Sequence, residues 1–105
     1  MLVRFLKSLW GRARPTPPIL LRVTDPSGAP PPVLDVETRW RPSGQRGERS
    51  VRTADGLALV PWLAEQEEVE LVVRGAHGTA TVTVLRASAG GPTLPVRLEG
   101  PHRAG

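Results

Sequence analysis

The sequence predicts an all-β protein, an antiparallel β-sandwich of seven or eight strands preceded by a short N-terminal amphipathic helix. Short runs in which apolar and polar residues alternate recur at spacings of about ten residues. The 12 Pro and 11 Gly residues are spread between these runs as separators. No segment of helical period stands between two predicted strands, which excludes a βαβ architecture. A small barrel is the alternative fold.

The first half of the predicted sandwich begins with a strand at Ile19–Thr24. Asp25-Pro26-Ser27-Gly28 ends it, because Asp bonds its own backbone, Pro presets φ and Gly tolerates positive φ. A second strand, Val33–Arg41, alternates apolar and charged residues, which predicts one buried and one solvated face. Pro42–Arg49 contains no apolar residue and is predicted to be an exposed loop, followed by a short strand at Ser50–Thr53.

The second half continues through Ala54-Asp55-Gly56, where Asp-Gly is a strong hairpin signal. Trp62 follows the next strand and is predicted to leave the sheet and lie across the core. Residues 65–68, three of which are Glu, and residues 75–78 are predicted turns. The remaining strands are predicted at Leu57–Val60, Val69–Arg74, Thr79–Leu85 and Thr93–Glu99.

The net charge of +4 divides the chain into segments. Four cations and no acid occur in residues 1–14, whereas ten Arg balance ten Asp and Glu in the rest of the chain. We therefore predict a basic amphipathic helical arm at 1–14, a Pro-rich spacer at 15–18, a β-sandwich body at 19–99 and a disordered tail at 100–105.

The arm is the predicted partner-binding site. On a helical wheel its apolar anchors share one arc, opposite a basic face. The anchors are Leu2, Phe5, Leu6, Leu9 and Trp10, and the basic face carries Arg4, Lys7 and Arg12. A helix this short is marginal alone in water, so its apolar face needs cover. Three surfaces remain open as that cover: a groove on another protein, the body's own sheet and an anionic membrane surface.

Few residues suggest catalysis or metal binding. The chain has no Cys, and His77 and His102 stand in a predicted turn and in the tail. Ser50 or Ser88 could meet His77, but neither serine stands in a G-x-S-x-G motif. We therefore expect no enzyme activity, no metal and no cofactor.

Two clusters of charged residues could either bind a ligand or simply lie on the solvent-exposed surface. The run that holds Glu65, Glu67, Glu68 and Glu70 has neither the Gly nor an Asp of a calcium loop, so a solvated acidic turn or a docking patch for a basic partner is expected. The arginines near the predicted Pro42–Arg49 loop would suit phosphates; they are Arg39, Arg41, Arg46, Arg49 and Arg52. Trp40 among them is in phase with core residues, so nucleic acid is not the expected partner.

The body resembles the carboxypeptidase regulatory-like domains, which have a transthyretin-like (prealbumin-like, Ig-like) seven-stranded sandwich and occur across bacterial proteins. The resemblance rests on the order of Val23-Thr24-Asp25-Pro26-Ser27-Gly28-Ala29-Pro30, then Thr53-Ala54-Asp55-Gly56-Leu57-Ala58-Leu59, then Val96-Arg97-Leu98. It covers residues 19–99, but Glu68-Val69-Glu70 stands where Gly-x-Tyr is usual. The resemblance implies a non-catalytic adhesion, scaffold or accessory module.

Arm and body together predict a small cytoplasmic interaction protein whose N-terminal helix docks a partner protein. A peripheral membrane protein that uses the same helix on anionic lipid is the alternative, as is a regulatory subunit of a catalytic partner.

Overall fold

The computed structural model describes residues 16–100, which form a β-sandwich of two sheets with seven strands between them. The strands are β1 (Ile19–Thr24), β2 (Val33–Arg41), β3 (Arg46–Arg52), β4 (Leu57–Val60), β5 (Glu68–Gly75), β6 (Gly78–Leu85) and β7 (Leu94–Arg97). One sheet has three strands in the order β4-β1-β7, and the other has four in the order β3-β2-β5-β6. The predicted two-sheet β class is confirmed, with seven strands.

Several strand bounds agree with the alternation of the sequence. β1, β2 and β4 begin and end at the predicted residues, and β5 and β6 are longer than predicted by a residue or two at their ends. The last strand is shorter than the predicted Thr93–Glu99, because Glu99 bonds instead to Thr79 in an isolated bridge.

The prediction of a loop at Pro42–Arg49 was wrong for its second half. β3 begins at Arg46 and pairs along its length with β2, from Arg39 opposite Arg46 to Val33 opposite Arg52. β3 is an edge strand, and all its residues except Val51 are exposed. The backbone ladder with β2 holds it in place, so its residues need no apolar alternation, and the alternation rule missed it.

The Asp55-Gly56 turn is present but does not make a hairpin within one sheet. Both residues have positive φ, 55° and 82°, and Ala54 and Leu57 exchange two backbone hydrogen bonds across them. Beyond that pair the strands diverge, since β3 pairs with β2 and β4 pairs with β1. The turn therefore connects the two layers of the sandwich.

The sandwich is also not wholly antiparallel as predicted, since β7 runs parallel to β1, with Val23 opposite Val96. β6 and β1 lie in different sheets, and residues 86–93 cross between the sheets at the end where β1 begins. β7 therefore starts at the same end as β1 and runs in the same direction. A single turn of 3-10 helix, Arg86–Ser88, lies in this crossing.

The core lies between the inner faces of the two sheets. Its largest wholly buried side chains come from both sheets and from the segment after β7: Leu21, Val23, Leu34, Val36, Val60, Val69, Leu71, Val73 and Leu98. Trp62 packs across this core from the segment after β4, as predicted, with its ring centroid 5.1 Å from that of Trp40 in an edge-to-face arrangement.

The predicted amphipathic helix at 1–14 lies outside the described residues, as do Pro15 of the spacer and residues 101–105 of the tail. Between residues 16 and 100, no helix has the length and hydropathy needed to cross a bilayer.

Candidate interaction surfaces

All the side chains predicted to bind a partner belong to the arm and lie outside the described residues; they are Leu2, Arg4, Phe5, Leu6, Lys7, Leu9, Trp10 and Arg12. The surfaces that can be built from geometry are therefore those of the body.

The outer face of the four-stranded sheet is covered by charged side chains. β2 presents Asp35, Glu37, Arg39 and Arg41 to solvent, because its alternate residues Leu34, Val36 and Trp40 are buried. The neighbouring strands add further charges to the same face: Arg46, Glu48 and Arg52 from β3, and Glu68, Glu70 and Arg74 from β5. Positive and negative groups are equal in number, so this face has high charge density and no net charge.

The charges are ordered by register. Between β2 and β3, like charges stand directly opposite each other: Glu37 faces Glu48, and Arg39 faces Arg46. Such directly opposed pairs are destabilising. Between β2 and β5 the pairing is favourable, because Arg39 faces Glu70 and Glu37 lies 3.1 Å from Arg74. The like-charged pairs therefore lie on the edge side of the sheet, where solvent screens them most.

A shallow depression of about 560 Å³ lies over these pairs, lined by Glu37, Arg39, Arg46, Gly47, Glu48, Glu70 and neighbouring Thr38 and Val72. Two guanidinium groups and three carboxylates at such a surface can bind a partner that offers both charges. The sequence showed the polar face of β2, but not this cluster, because Arg46 and Glu48 belong to the segment predicted as a loop.

A second depression, of about 280 Å³, is lined by residues of β2, β3 and the segment 60–63. Trp40, Trp62 and Leu63 form its apolar wall, and Arg49 stands at its rim. The indole Nε1–H of Trp62 donates to the backbone oxygen of Gln66 at 3.0 Å, which holds the ring in place. Trp62 is therefore a packed wall side chain, and Trp40 is only 5% exposed.

The arginines considered for nucleic acid do not form a separate basic patch. Arg39, Arg41, Arg46 and Arg52 alternate with acids on the charged outer face, and Arg41 Nε lies 3.7 Å from Glu68. The buried position of Trp40, predicted from its phase, removes it as a stacking platform for bases.

The acidic residues of the segment 65–70 have different structural surroundings and do not form one cluster. Glu67 accepts a hydrogen bond from Arg86 Nη1 at 3.2 Å, and Glu68 is the first residue of β5 rather than part of a turn. Glu65 has positive φ in the turn before β5. Within residues 16–100, no group of three or more His, Asp or Glu side chains is arranged to hold a metal ion.

The serines considered as nucleophiles lie far from His77, which is exposed in the turn between β5 and β6. The eight residues of β6 separate His77 from Ser88, a span of roughly 25 Å. Ser50 lies opposite Asp35, which lies opposite Arg74, so two strand spacings of about 5 Å each separate Ser50 from β5. Neither serine can share a proton with His77.

The turn after β1 is closed by the Asp25 carboxylate. Its Oδ1 accepts hydrogen bonds from Ser27 Oγ at 2.6 Å, Ser27 N at 2.9 Å and Ala29 N at 3.0 Å. The hydroxyl of Ser27, followed by these backbone groups, lowers the pKa of the Asp25 carboxyl from its ordinary value. This confirms the turn chemistry predicted for Asp25-Pro26-Ser27-Gly28, in which Gly28 has a φ of 90°.

Fold and surfaces together define a seven-stranded β-sandwich with a densely charged, electrically balanced outer face. No family model, curated protein or solved structure matches the chain.

Proposed function

We propose that this chain is a non-catalytic interaction protein, in which residues 1–14 dock as an amphipathic helix into an apolar groove of a partner protein. The sandwich is its structural or adaptor body. A carboxypeptidase regulatory-like identity of the body and a cytoplasmic location are parts of the same proposal. The observation that supports it is that residues 16–100 contain an apolar core from both sheets and expose few large apolar side chains.

The described residues form a well-packed core. Among residues 16–100, both sheets contribute wholly buried apolar side chains, and no buried side-chain nitrogen or oxygen lacks a hydrogen-bond partner. The body therefore has the apolar interior of an independent sandwich, which supports its role as a structural unit.

The body also offers the arm little apolar surface. The large apolar side chains exposed in residues 16–100 are Val33, Leu59 and Leu85, and they stand on β2, β4 and β6. No two of these strands are hydrogen-bonded neighbours. A helix with five anchors on one face buries more apolar area than any of these isolated side chains provides, which favours a separate partner.

The test is affinity capture of the full-length chain from its host, with the captured species identified and then titrated as a purified protein. We expect saturable binding in the wild type and its loss in Phe5→Asp combined with Leu9→Asp. The thermal transition of the double variant should equal that of the wild type. The matched control is Val33→Asp combined with Leu59→Asp, which changes exposed apolar residues of the body and should keep binding. Equal binding by the arm variant would overturn the proposal.

An anionic membrane is the second candidate surface, because Arg4, Lys7 and Arg12 flank Phe5 and Trp10 in the arm. Flotation with vesicles of phosphatidylcholine and phosphatidylserine separates the two candidates. Salt-sensitive flotation that is lost in the arm variant would favour lipid, and vesicles that leave the chain unbound would favour the protein groove. A regulatory subunit would instead be recognised by a change in the activity of the captured partner.

A further inference from the structure

The two edges of the four-stranded sheet have opposite chemistry. β3, at one edge, carries Arg46, Glu48, Arg49 and Arg52 among its seven residues. β6, at the other edge, reads Gly-Thr-Ala-Thr-Val-Thr-Val-Leu and carries no charge. Charged side chains on an edge strand oppose pairing with another strand. β3 is therefore protected against edge-to-edge association, and β6 is not.

Along most of its outer edge, β6 has no backbone partner among residues 16–100. Thr79 exchanges backbone hydrogen bonds with Glu99 on that edge, at 3.0 Å in each direction. Thr81, Thr83 and Leu85 are in phase with Thr79, so their N–H and C=O groups point away from β5. Among residues 16–100, no hydrogen bond from a loop or a side chain reaches the outward-pointing groups of Thr81 and Thr83. The Leu85 carbonyl begins the 3-10 turn Arg86–Ser88, so Leu85 contributes only its N–H to this edge.

We propose that β6 is a homodimerisation edge. Two copies pair antiparallel through β6 about a two-fold axis at Thr83, which joins their four-stranded sheets into one continuous sheet. This inference does not depend on the proposed role of the arm.

The free groups of β6 are self-complementary in this register. Thr83 faces Thr83 of the second copy, and Thr81 faces Leu85 on either side of the axis. All three outward-pointing residues then fall at hydrogen-bonded positions, which gives about four new backbone hydrogen bonds, because the Leu85 carbonyl already belongs to the 3-10 turn. A second copy is favoured as the occupant because the same uncharged sequence satisfies both sides without any unpaired charge.

Apolar burial adds to these bonds. Val82 packs against the core but is only partly buried. In the paired register Val82 faces Val84 of the second copy, and this contact extends the core across the interface. On the outer face Leu85, which is 54% exposed in the monomer, gains Thr81 of the second copy as a neighbour. The interface is small, so a reversible monomer–dimer equilibrium is expected.

The register makes a sharp test possible, because Thr83 is opposed to itself. Sedimentation velocity of the full-length chain over a concentration series should show dimers for the wild type. Thr83→Lys and Thr83→Glu should each be monomeric, since each places two like charges face to face. An equimolar mixture of the two variants should dimerise again, since Lys and Glu then face each other across the axis. Circular dichroism spectra should be the same for all chains.

Thr79→Lys is the matched control. It lies on the same strand and face, but its backbone is already bonded to Glu99, so it should dimerise as the wild type does. A wild type that stays monomeric throughout the series overturns the proposal. So does association that persists in Thr83→Lys, which would place the contact in the arm or on another surface, and so does a mixture of the charged variants that remains monomeric.

Discussion

Two contributions of the Trp62 side chain to the free energy of unfolding can be measured separately. Trp62 makes two distinct interactions: its ring stands edge-on to Trp40 at 5.1 Å, and its Nε1–H donates to the Gln66 backbone oxygen at 3.0 Å. Trp62→Phe keeps an aromatic ring but removes the donor. Trp62→Leu removes both the donor and the aromatic contact.

The expected magnitudes follow from these contacts. Loss of the hydrogen bond lowers the free energy of unfolding by about 1 kcal/mol in Trp62→Phe. Loss of the aromatic pair removes about another 1 kcal/mol, and the smaller side chain buries less apolar area, so Trp62→Leu should lower it by about 2–3 kcal/mol in total. For a domain of this size, each 1 kcal/mol lowers Tm by roughly 4–8 °C.

Urea unfolding followed by far-ultraviolet circular dichroism measures both variants without interference from changes in indole fluorescence. Leu59→Ala is the control, because Leu59 is 49% exposed on β4, the strand that precedes Trp62. Its truncation should lower the free energy of unfolding by less than about 0.5 kcal/mol. Equal destabilisation of Trp62→Phe and Trp62→Leu would refute the contribution of the aromatic contact with Trp40. If neither variant differed from Leu59→Ala, the packed position of Trp62 would be refuted.

Two further predictions concern turns. Asp25→Ala should lower Tm at neutral pH. The Tm difference from the wild type should narrow as pH falls below about 3.8, the ordinary pKa of an Asp carboxyl, because Ser27 lowers the pKa of Asp25 in the folded state and the stabilisation is lost only when this carboxylate is protonated. A Tm difference that is constant from pH 6 to pH 2 would contradict this prediction. Gly56→Ala should be at least about 1 kcal/mol more destabilising than Gly28→Ala in urea unfolding, because both positions have positive φ but only a Cβ at Gly56 would lie 2.5 Å from the Val23 oxygen. Equal effects of the two alanine substitutions would show that this close approach relaxes at no cost.

Local features of the body were predictable from its amino-acid sequence. Period-two alternation located β1, β2 and β4 at their observed bounds, because burial of one face is recorded in consecutive side chains. Phase along β2 also placed Trp40 in the core, which removed the aromatic from a cluster of arginines. The turns at Asp25 and at Asp55-Gly56 were also predictable. Asp25 accepts a hydrogen bond from the nearby backbone, and Asp55 and Gly56 adopt the positive φ that the second turn requires.

The features that were missed depend on partners distant in the chain. β3 has no apolar alternation and is a strand only because β2 offers its backbone a ladder. The clustering of Arg46 and Glu48 with Glu37 and Glu70 follows from that ladder, so the charged depression could not be read from the chain. The Asp55-Gly56 turn likewise has the local geometry of a hairpin, but its flanking strands belong to different sheets.

The sequence alone therefore determined the β class, most strand positions, the core face of each and the division of charge between arm and body. Tertiary structure decided which strands pair, that β7 runs parallel to β1, and that β3 and β6 form the exposed edges of the larger sheet. The physical reason is that side-chain burial is encoded residue by residue, whereas backbone hydrogen bonds between strands are almost independent of side-chain identity and are assigned only when the whole chain packs.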